Sequence, residues 1–463
     1  ADWAAAGSGW ARMPYLARFA GRRLPASWSR LLNGRESAVL ESGPTGRYTV
    51  VVPEAARVTV MPPGQDALGW LDRWSTANRA PRLSGWPPFQ GGLIVALGYE
   101  LAGLFEPVAS APADLPLPRA IMLEADEAFI HDRVRDELTV VVLCRGTDPA
   151  ANALEAAARS ARRLARLWDI AMGDPAPEMR SAAEPVPVIT ASFGAEEFAA
   201  AVRAAQALIA AGDTYQVNLS TRLELSPPPS GILAYEAVRA TNPSPYMGYI
   251  RTSGVELVCG SPELLVSVFG ARIASRPIAG TRPRTGADTE DGAFARELAA
   301  DSKERAEHLM LVDLIRNDLG RVAQPGTVRV PEFMAVERYS HVMHLVSQVE
   351  GDLSTPPPPP SALLRSTFPG GTVTGAPKVR TMQIIADLEP VARGFYTGSV
   401  GWIAASGDLC LNIVIRTLTL ASGRCFAQAG AGVVADSSPE REHAESLRKA
   451  LALRVALGRV SPS

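Results

Sequence analysis

The chain has 463 residues, 47% of them hydrophobic and 20% charged, a composition that suits a globular protein able to bury a large core. Lys plus Arg number 46 against 48 Asp plus Glu, with no basic run to neutralise phosphates, so nucleic acid is not expected as a partner. Gly, Pro or charge interrupts every apolar stretch before the roughly 20 residues that a bilayer crossing needs, and no membrane partner is expected either.

At the front, Ala1 to Gly9 lacks the basic, apolar and small-residue pattern of a signal peptide. The first region, residues 1–172, mixes short β-like runs such as Tyr48 to Pro53 and Leu138 to Cys144 with an Ala/Arg-rich helix from Ala150 to Ile170. A proline-rich linker follows at residues 173–190. From there to residue 463 the pattern is denser. A helix at Ala195 to Ala211 precedes an extended segment at Tyr215 to Leu225, then β-like runs at Val255 to Cys259, Leu264 to Phe269, Phe395 to Ala404, Leu411 to Leu420 and Arg424 to Ala429. Many strands with few βαβ spacings predict an α+β fold with large antiparallel sheets flanked by helices. Pro356 to Pro360 is expected to be a surface spacer between a strand and a helix. Cys144, Cys259, Cys410 and Cys425 show no CxxC spacing, which fits a reducing cytoplasm.

Two helical segments each carry carboxylates three residues apart: Glu304 with Glu307, and Glu442 with Glu445. Residues i and i+3 share a helix face, and four oxygen donors from two helices suit one Mg²⁺, although such pairs also suit a solvated surface beside Arg and Lys. The Gly-rich run Phe368 to Lys378 lacks the ending of a P-loop, and with Ala429-Gly-Ala-Gly-Val433 it allows either tight turns or close backbone approach to a ligand. In Tyr339 to Val346, alternation puts His344 on the face opposite His341, and histidine is the natural proton carrier near neutral pH. Arg416 interrupts an apolar β-like run and requires an anionic partner. No cysteine has the Gly-x-Cys-x-Gly setting of a glutamine-cleaving nucleophile, so ammonia is not expected to be released from glutamine by this chain itself.

Together these motifs resemble the chorismate-utilising family that contains anthranilate synthase component I, aminodeoxychorismate synthase component I, and isochorismate and salicylate synthases. The resemblance is carried by Arg276-Pro-Ile-Ala-Gly-Thr-Arg282, Asp301 to Arg321, Tyr339 to Ser347, Thr367 to Arg380 and Gln428 to Lys449, with weaker similarity at Leu40-Glu-Ser42, Phe89 to Gly92 and Gly98 to Glu100. It implies the anthranilate-synthase-component-I-like fold, chorismate as substrate and Mg²⁺ as cofactor. Glu307 and Glu445 are then expected to ligate the metal, with Glu304 and Glu442 supporting its water shell. Thr372, Tyr396, Arg416, Gly430, Gly432 and Lys449 are expected around the two carboxylates of chorismate, with His344 and Thr281 of the Pro-Ile-Ala-Gly-Thr motif among the catalytic residues.

Members that use water as nucleophile carry Lys where this chain has Gln216, so the resemblance implies ammonia, which needs less activation. The motifs around Tyr215 to Ser220, Asn242 to Tyr249, Pro369 to Gly375 and Leu411 to Thr417 look like the aminodeoxychorismate branch. The runner-up is the anthranilate branch, which releases pyruvate. Many aminodeoxychorismate synthases have a covalent Lys nucleophile where this chain has Ala279, which cannot form that adduct. The resemblance further implies a separate glutamine amidotransferase subunit as partner. Glu41, Ser42, Pro245, Tyr246 and Met247 resemble parts of a tryptophan site.

Overall fold

In a computed structural model, residues 9–32, 34–43, 46–146, 150–173, 188–339 and 342–457 are described. The fold is built on two antiparallel sheets, one of twelve strands and one of ten. Strand Gly92–Leu97 is buried along its whole length, as its unbroken run Gly-Leu-Ile-Val-Ala-Leu demands, and it pairs with Ser399–Ala404 in the ten-stranded sheet. Helices cover the exposed faces. In helix Ala150–Ala171, the residues Ala157, Ala161, Leu164 and Trp168 recur at helical spacing and pack with Phe129 and Val140 of the twelve-stranded sheet.

Strands from before and after the linker region alternate within both sheets. Ser37–Glu41 pairs with Tyr246–Arg251 in the twelve-stranded sheet, and Gly92–Leu97 pairs with Ser399–Ala404 in the ten-stranded one. Both sheets therefore draw on the whole chain, and the core clusters mix residues from either side of the linker. Of the linker, residues 174–187 lie outside the described residues, as does His341, while Val188–Ala191 forms a strand beside Gln216–Leu225. The prolines at 356–360 lie between strand Val342–Asp352 and helix Pro360–Thr367, as expected.

One expectation is corrected. Leu411 to Leu420 is not a single strand: Leu409–Asn412 belongs to the ten-stranded sheet and Thr417–Ala421 to the twelve-stranded sheet. The backbone crosses between sheets at residues 413–416, and Arg416 takes a left-handed φ of 52° there. Arg416 thus sits at a crossover, not in a strand. The run contains no Gly or Pro, so nothing in its composition marks the break, and the strained backbone costs about 1–3 kcal/mol that the surrounding sheets must hold.

Candidate active site

Helix Ser302–Gly320 carries Glu304 and Glu307, and helix Pro439–Leu457 carries Glu442 and Glu445, each pair within the first two turns. Asp301 caps the first of these helices by accepting from the Lys303 and Glu304 amides. Lys303 reaches Asp436, just before the second helix, at 3.7 Å. Glu307 Oε1 accepts from Gln216 Nε2 at 2.8 Å, Glu304 accepts from Arg282 at 3.3 Å, and Lys449 lies 2.7 Å from Glu445. Burial raises the Glu307 carboxyl above its usual range, and Glu304 adds to the rise. Burial raises Glu442 as well, with Glu445 adding to it. Among the described residues, no three His, Cys, Asp or Glu side chains are gathered closely enough to form a finished metal cage.

The floor of the cleft is the strand pair Gln216–Leu225 and Arg424–Val433, in which Asn218 lies opposite Gly432 and Ser220 opposite Gly430. Crowding requires Gly430, where a Cβ would also meet the Leu219 carbonyl at 2.7 Å, and Gly432 leaves room for the Gln216 amide. A Cβ on Gly432 would meet Gln216 Nε2 at 2.5 Å, and one on Gly430 would meet Asn218 Oδ1 at 2.4 Å with the Tyr396 hydroxyl at 3.1 Å. Lys449 donates to the Gly430 carbonyl at 3.2 Å, which brings the second helix onto this floor.

Strand Ile278–Pro283 forms the opposite wall. A bulge between Ala279 and Thr281 aligns Ala279 with Leu345 and Thr281 with His344 of the neighbouring strand. His344 Nδ1 lies 3.2 Å from the Gly280 carbonyl and 3.1 Å from Thr281 Oγ1. A carbonyl only accepts, so Nδ1 carries the proton and Nε2 keeps its lone pair. Burial and then Arg416 push this histidine down to about 4, leaving it neutral near pH 7.

Arg416, largely desolvated, has no carboxylate within ion-pairing distance among the described residues. Burial lowers its pKa, and Glu263 and Tyr339 act against that shift. Glu263 is a site residue that the sequence reading missed. It is buried beside Thr372 and Arg416, and desolvation pushes it up to about 7. Its only outward mark is a carboxylate between Ser261-Pro262 and the apolar strand Leu264–Phe269. Arg393 was missed as well. It is buried between the rings of Tyr99 and Tyr396 and donates to Glu389, to the Asn218 and Val373 carbonyls and to Thr397. It thereby ties Tyr396, the turn holding Thr372 and the cleft floor together.

Contacts and mutual electrostatics thus link His344, Thr281, Arg416, Thr372, Tyr396, Gly430, Gly432, Lys449, Gln216 and the four glutamates around one cleft. The residues of the expected tryptophan site are elsewhere. Glu41, Ser42, Pro245, Tyr246 and Met247 all line a separate cavity of about 170 Å³, with Phe89, Val400 and Trp402. There Glu41 accepts from the Trp28 indole and, at 3.1 Å, from Arg239.

A cleft with clustered carboxylates, a neutral histidine and a desolvated arginine that has no counter-ion among the described residues is equipped for a small polyanionic substrate. Comparison with known proteins gives the class: the chain belongs to the chorismate binding enzyme family, whose model matches residues 36–454. It is a chorismate-utilising enzyme, as the motifs implied. It is similar to aminodeoxychorismate synthase component 1 of Bacillus subtilis (strain 168), with 40% identity covering 95% of this chain and 97% of that protein. It is also similar to anthranilate synthase component 1 of Streptomyces coelicolor, with 44% identity covering 90% of this chain and 82% of that protein. Among solved structures, anthranilate synthase component I from Streptococcus pneumoniae TIGR4 superposes with a TM-score of 0.78 at 31% identity, covering 89% of this chain and 92% of that one. The menaquinone-specific isochorismate synthase MenF from Escherichia coli, 18% identical with a TM-score of 0.72, shares the fold.

Proposed function

We propose that this chain is the aminating subunit of an aminodeoxychorismate synthase. It joins chorismate and ammonia to give 4-amino-4-deoxychorismate and water, for p-aminobenzoate and folate, and receives its ammonia from a separate glutamine amidotransferase subunit. The observation that carries the reading is Gln216: the side chain 2.8 Å from Glu307 is an amide, with no amine to deprotonate water, which favours ammonia as nucleophile. The aminodeoxychorismate branch is supported by the Bacillus subtilis relative, 97% of whose length is matched, against 82% for the Streptomyces coelicolor anthranilate synthase.

In this mechanism Arg416 receives one carboxylate of chorismate, and Thr372, Tyr396, Lys449 and the backbone at Gly430 and Gly432 surround the substrate. Glu263, protonated up to about pH 7, gives its proton to the 4-hydroxyl so that it leaves as water. His344 Nε2, unprotonated, accepts the surplus proton of the incoming nitrogen. Ala279 offers no amine, so the chain forms no adduct with C2 through that residue. The four glutamates fit Mg²⁺, because Glu307 and Glu442 are raised partly by their neighbouring carboxylates, an excess of negative charge that a divalent cation relieves. When bound, Mg²⁺ supplies positive charge for the ring carboxylate.

Incubating the chain with chorismate, Mg²⁺ and an ammonium salt tests the proposal, with products identified by mass spectrometry with and without aminodeoxychorismate lyase. The expected product keeps its enolpyruvyl group, is converted by the lyase to p-aminobenzoate, and fails to form when Mg²⁺ is chelated. Anthranilate with pyruvate would move the chain to the second reading, anthranilate synthase component I, which the 44% identity to the Streptomyces protein favours. Isochorismate alone would overturn amination altogether.

A further inference from the structure

On strand Gln216–Leu225, alternate residues share a face, so Gln216, Asn218 and Ser220 all stand over the glycine floor. Ser220 is fully engaged: its hydroxyl donates to Glu389 and accepts from Gln428, 2.8 Å and 2.9 Å away. The other two are not. Chemistry fixes how the Gln216 amide is turned, since a carboxylate only accepts and Nε2 must therefore face Glu307. Gln216 Oε1 is then left buried with no donor among the described residues, and Asn218 Oδ1 is buried without one there as well.

Two acceptors without donors on one face, above a floor stripped of side chains, call for a small ligand rich in N–H or O–H donors. Each such oxygen left unmade costs about 1–3 kcal/mol. Chorismate cannot satisfy both, because it has a single hydroxyl and otherwise presents carboxylates and an enol ether, which accept. Ammonia can: two of its three N–H bonds reach the two oxygens and its lone pair points away from the strand.

We infer that Gln216 Oε1 and Asn218 Oδ1 form the binding site for the ammonia nucleophile. The inference rests on the amination reading and names the residues that hold its second substrate. Positive charge developing on nitrogen as the C–N bond forms strengthens both hydrogen bonds. The surplus proton of the nitrogen passes to His344 Nε2 while Glu263 protonates the departing hydroxyl, and return of that proton to Glu263 leaves a net loss of water with no further reactant. Asn218 accepts directly from the substrate in this arrangement and is a catalytic residue to which the Tyr215 to Ser220 motif had given no role.

Asn218→Leu removes one acceptor at nearly constant volume, and Asn218→Asp keeps it. In steady-state assays with ammonium, chorismate and Mg²⁺ varied separately, the Leu variant is expected to raise KM for ammonium about tenfold, equivalent to about 1.4 kcal/mol, with KM for chorismate within about twofold. The Asp variant is expected to stay within about threefold of the parent for ammonium. A Leu variant with unchanged KM for ammonium, with parallel rises for both substrates, or with a rise only in the Mg²⁺ requirement would overturn the assignment. If the parent chain forms no aminated product from ammonium, the amination reading itself fails; if the parent aminates and the Leu variant is indifferent to ammonium, only the ammonia site fails.

Discussion

The active cleft and the cavity bordered by Tyr246 lie in the same pair of sheets and differ in what they leave unsatisfied. In the cleft, Arg416 lacks a carboxylate among the described residues, Glu263 is held protonated by burial, and two amide oxygens have no donor. In the cavity the polar groups are already paired. Glu41 is held by Trp28 and Arg239, and Asn412 accepts from the Val400 amide and donates to the Tyr246 carbonyl. Ser42 donates to the Tyr48 carbonyl and Arg47 to Asp132, and most of the remaining lining, including Phe89, Met247 and Trp402, is apolar. The cleft therefore selects ligands by charge and hydrogen bonding, and the cavity by shape and apolar area.

The largest effect follows from removing the proton at Glu263. Glu263→Gln keeps the shape and cannot release a proton, so kcat is expected to fall about 10²- to 10⁴-fold. The parent profile should carry two limbs. Glu263 is raised to about 7, so its acid form is present below that pH and lost above it, and activity falls on the alkaline side. His344 is lowered to about 4, so its base form persists down to that pH, and activity falls on the acid side only there. In Glu263→Gln the alkaline limb near 7 is expected to vanish. A profile with that limb intact would assign it to another group and remove Glu263 from the mechanism.

Arg416 gives the next effect. Arg416→Met leaves a substrate carboxylate without its charged donor, a loss of about 1.5–3 kcal/mol, or roughly 10- to 150-fold in KM for chorismate. Arg416→Lys should recover only part of it, because an ammonium cannot present the planar fork of a guanidinium. A KM for chorismate unchanged in the Met variant would show that the missing counter-ion is not the substrate, and the contrast between cleft and cavity would lose its main support.

The sheets were legible because strands such as Tyr48–Val52 and Leu264–Phe269 carry short runs rich in the β-branched and apolar residues that suit buried strands. The paired glutamates and the two cleft glycines were legible because their spacing is local. The crossover at Arg416 was not: strain comes from the sheets on either side, and the residues at 413–416 read as one more stretch of strand. Glu263 escaped for a related reason, since the burial that raises it comes from segments distant in the sequence, among them the turn holding Thr372 and the crossover. Arg393 likewise looks like any charge in a loop until Tyr99, Asn218 and Val373 close over it.

The cavity offers the smallest and most specific effect. Its wall of Phe89, Val400 and Trp402 suits an indole, so tryptophan at a hundredfold excess over its dissociation constant is expected to stabilise the fold by about 2.7 kcal/mol, measured as a rise in Tm. Val400→Phe fills the cavity and should abolish that rise; if it persists, tryptophan binds elsewhere, and if the parent shows none, tryptophan is not the ligand. Tyr246 also borders a polar cleft of about 440 Å³ whose far wall includes Arg276 and Tyr339. The Tyr339 ring lies 5.5 Å from that of His344, and its hydroxyl donates to Glu337, which Arg276 holds. An occupant that shifts Tyr246 therefore reshapes one wall of a cleft whose other wall reaches the His344 ring. Tryptophan should accordingly lower kcat/KM for chorismate in the parent and leave it untouched in Val400→Phe, which separates an effect transmitted from the cavity from competition in the cleft itself.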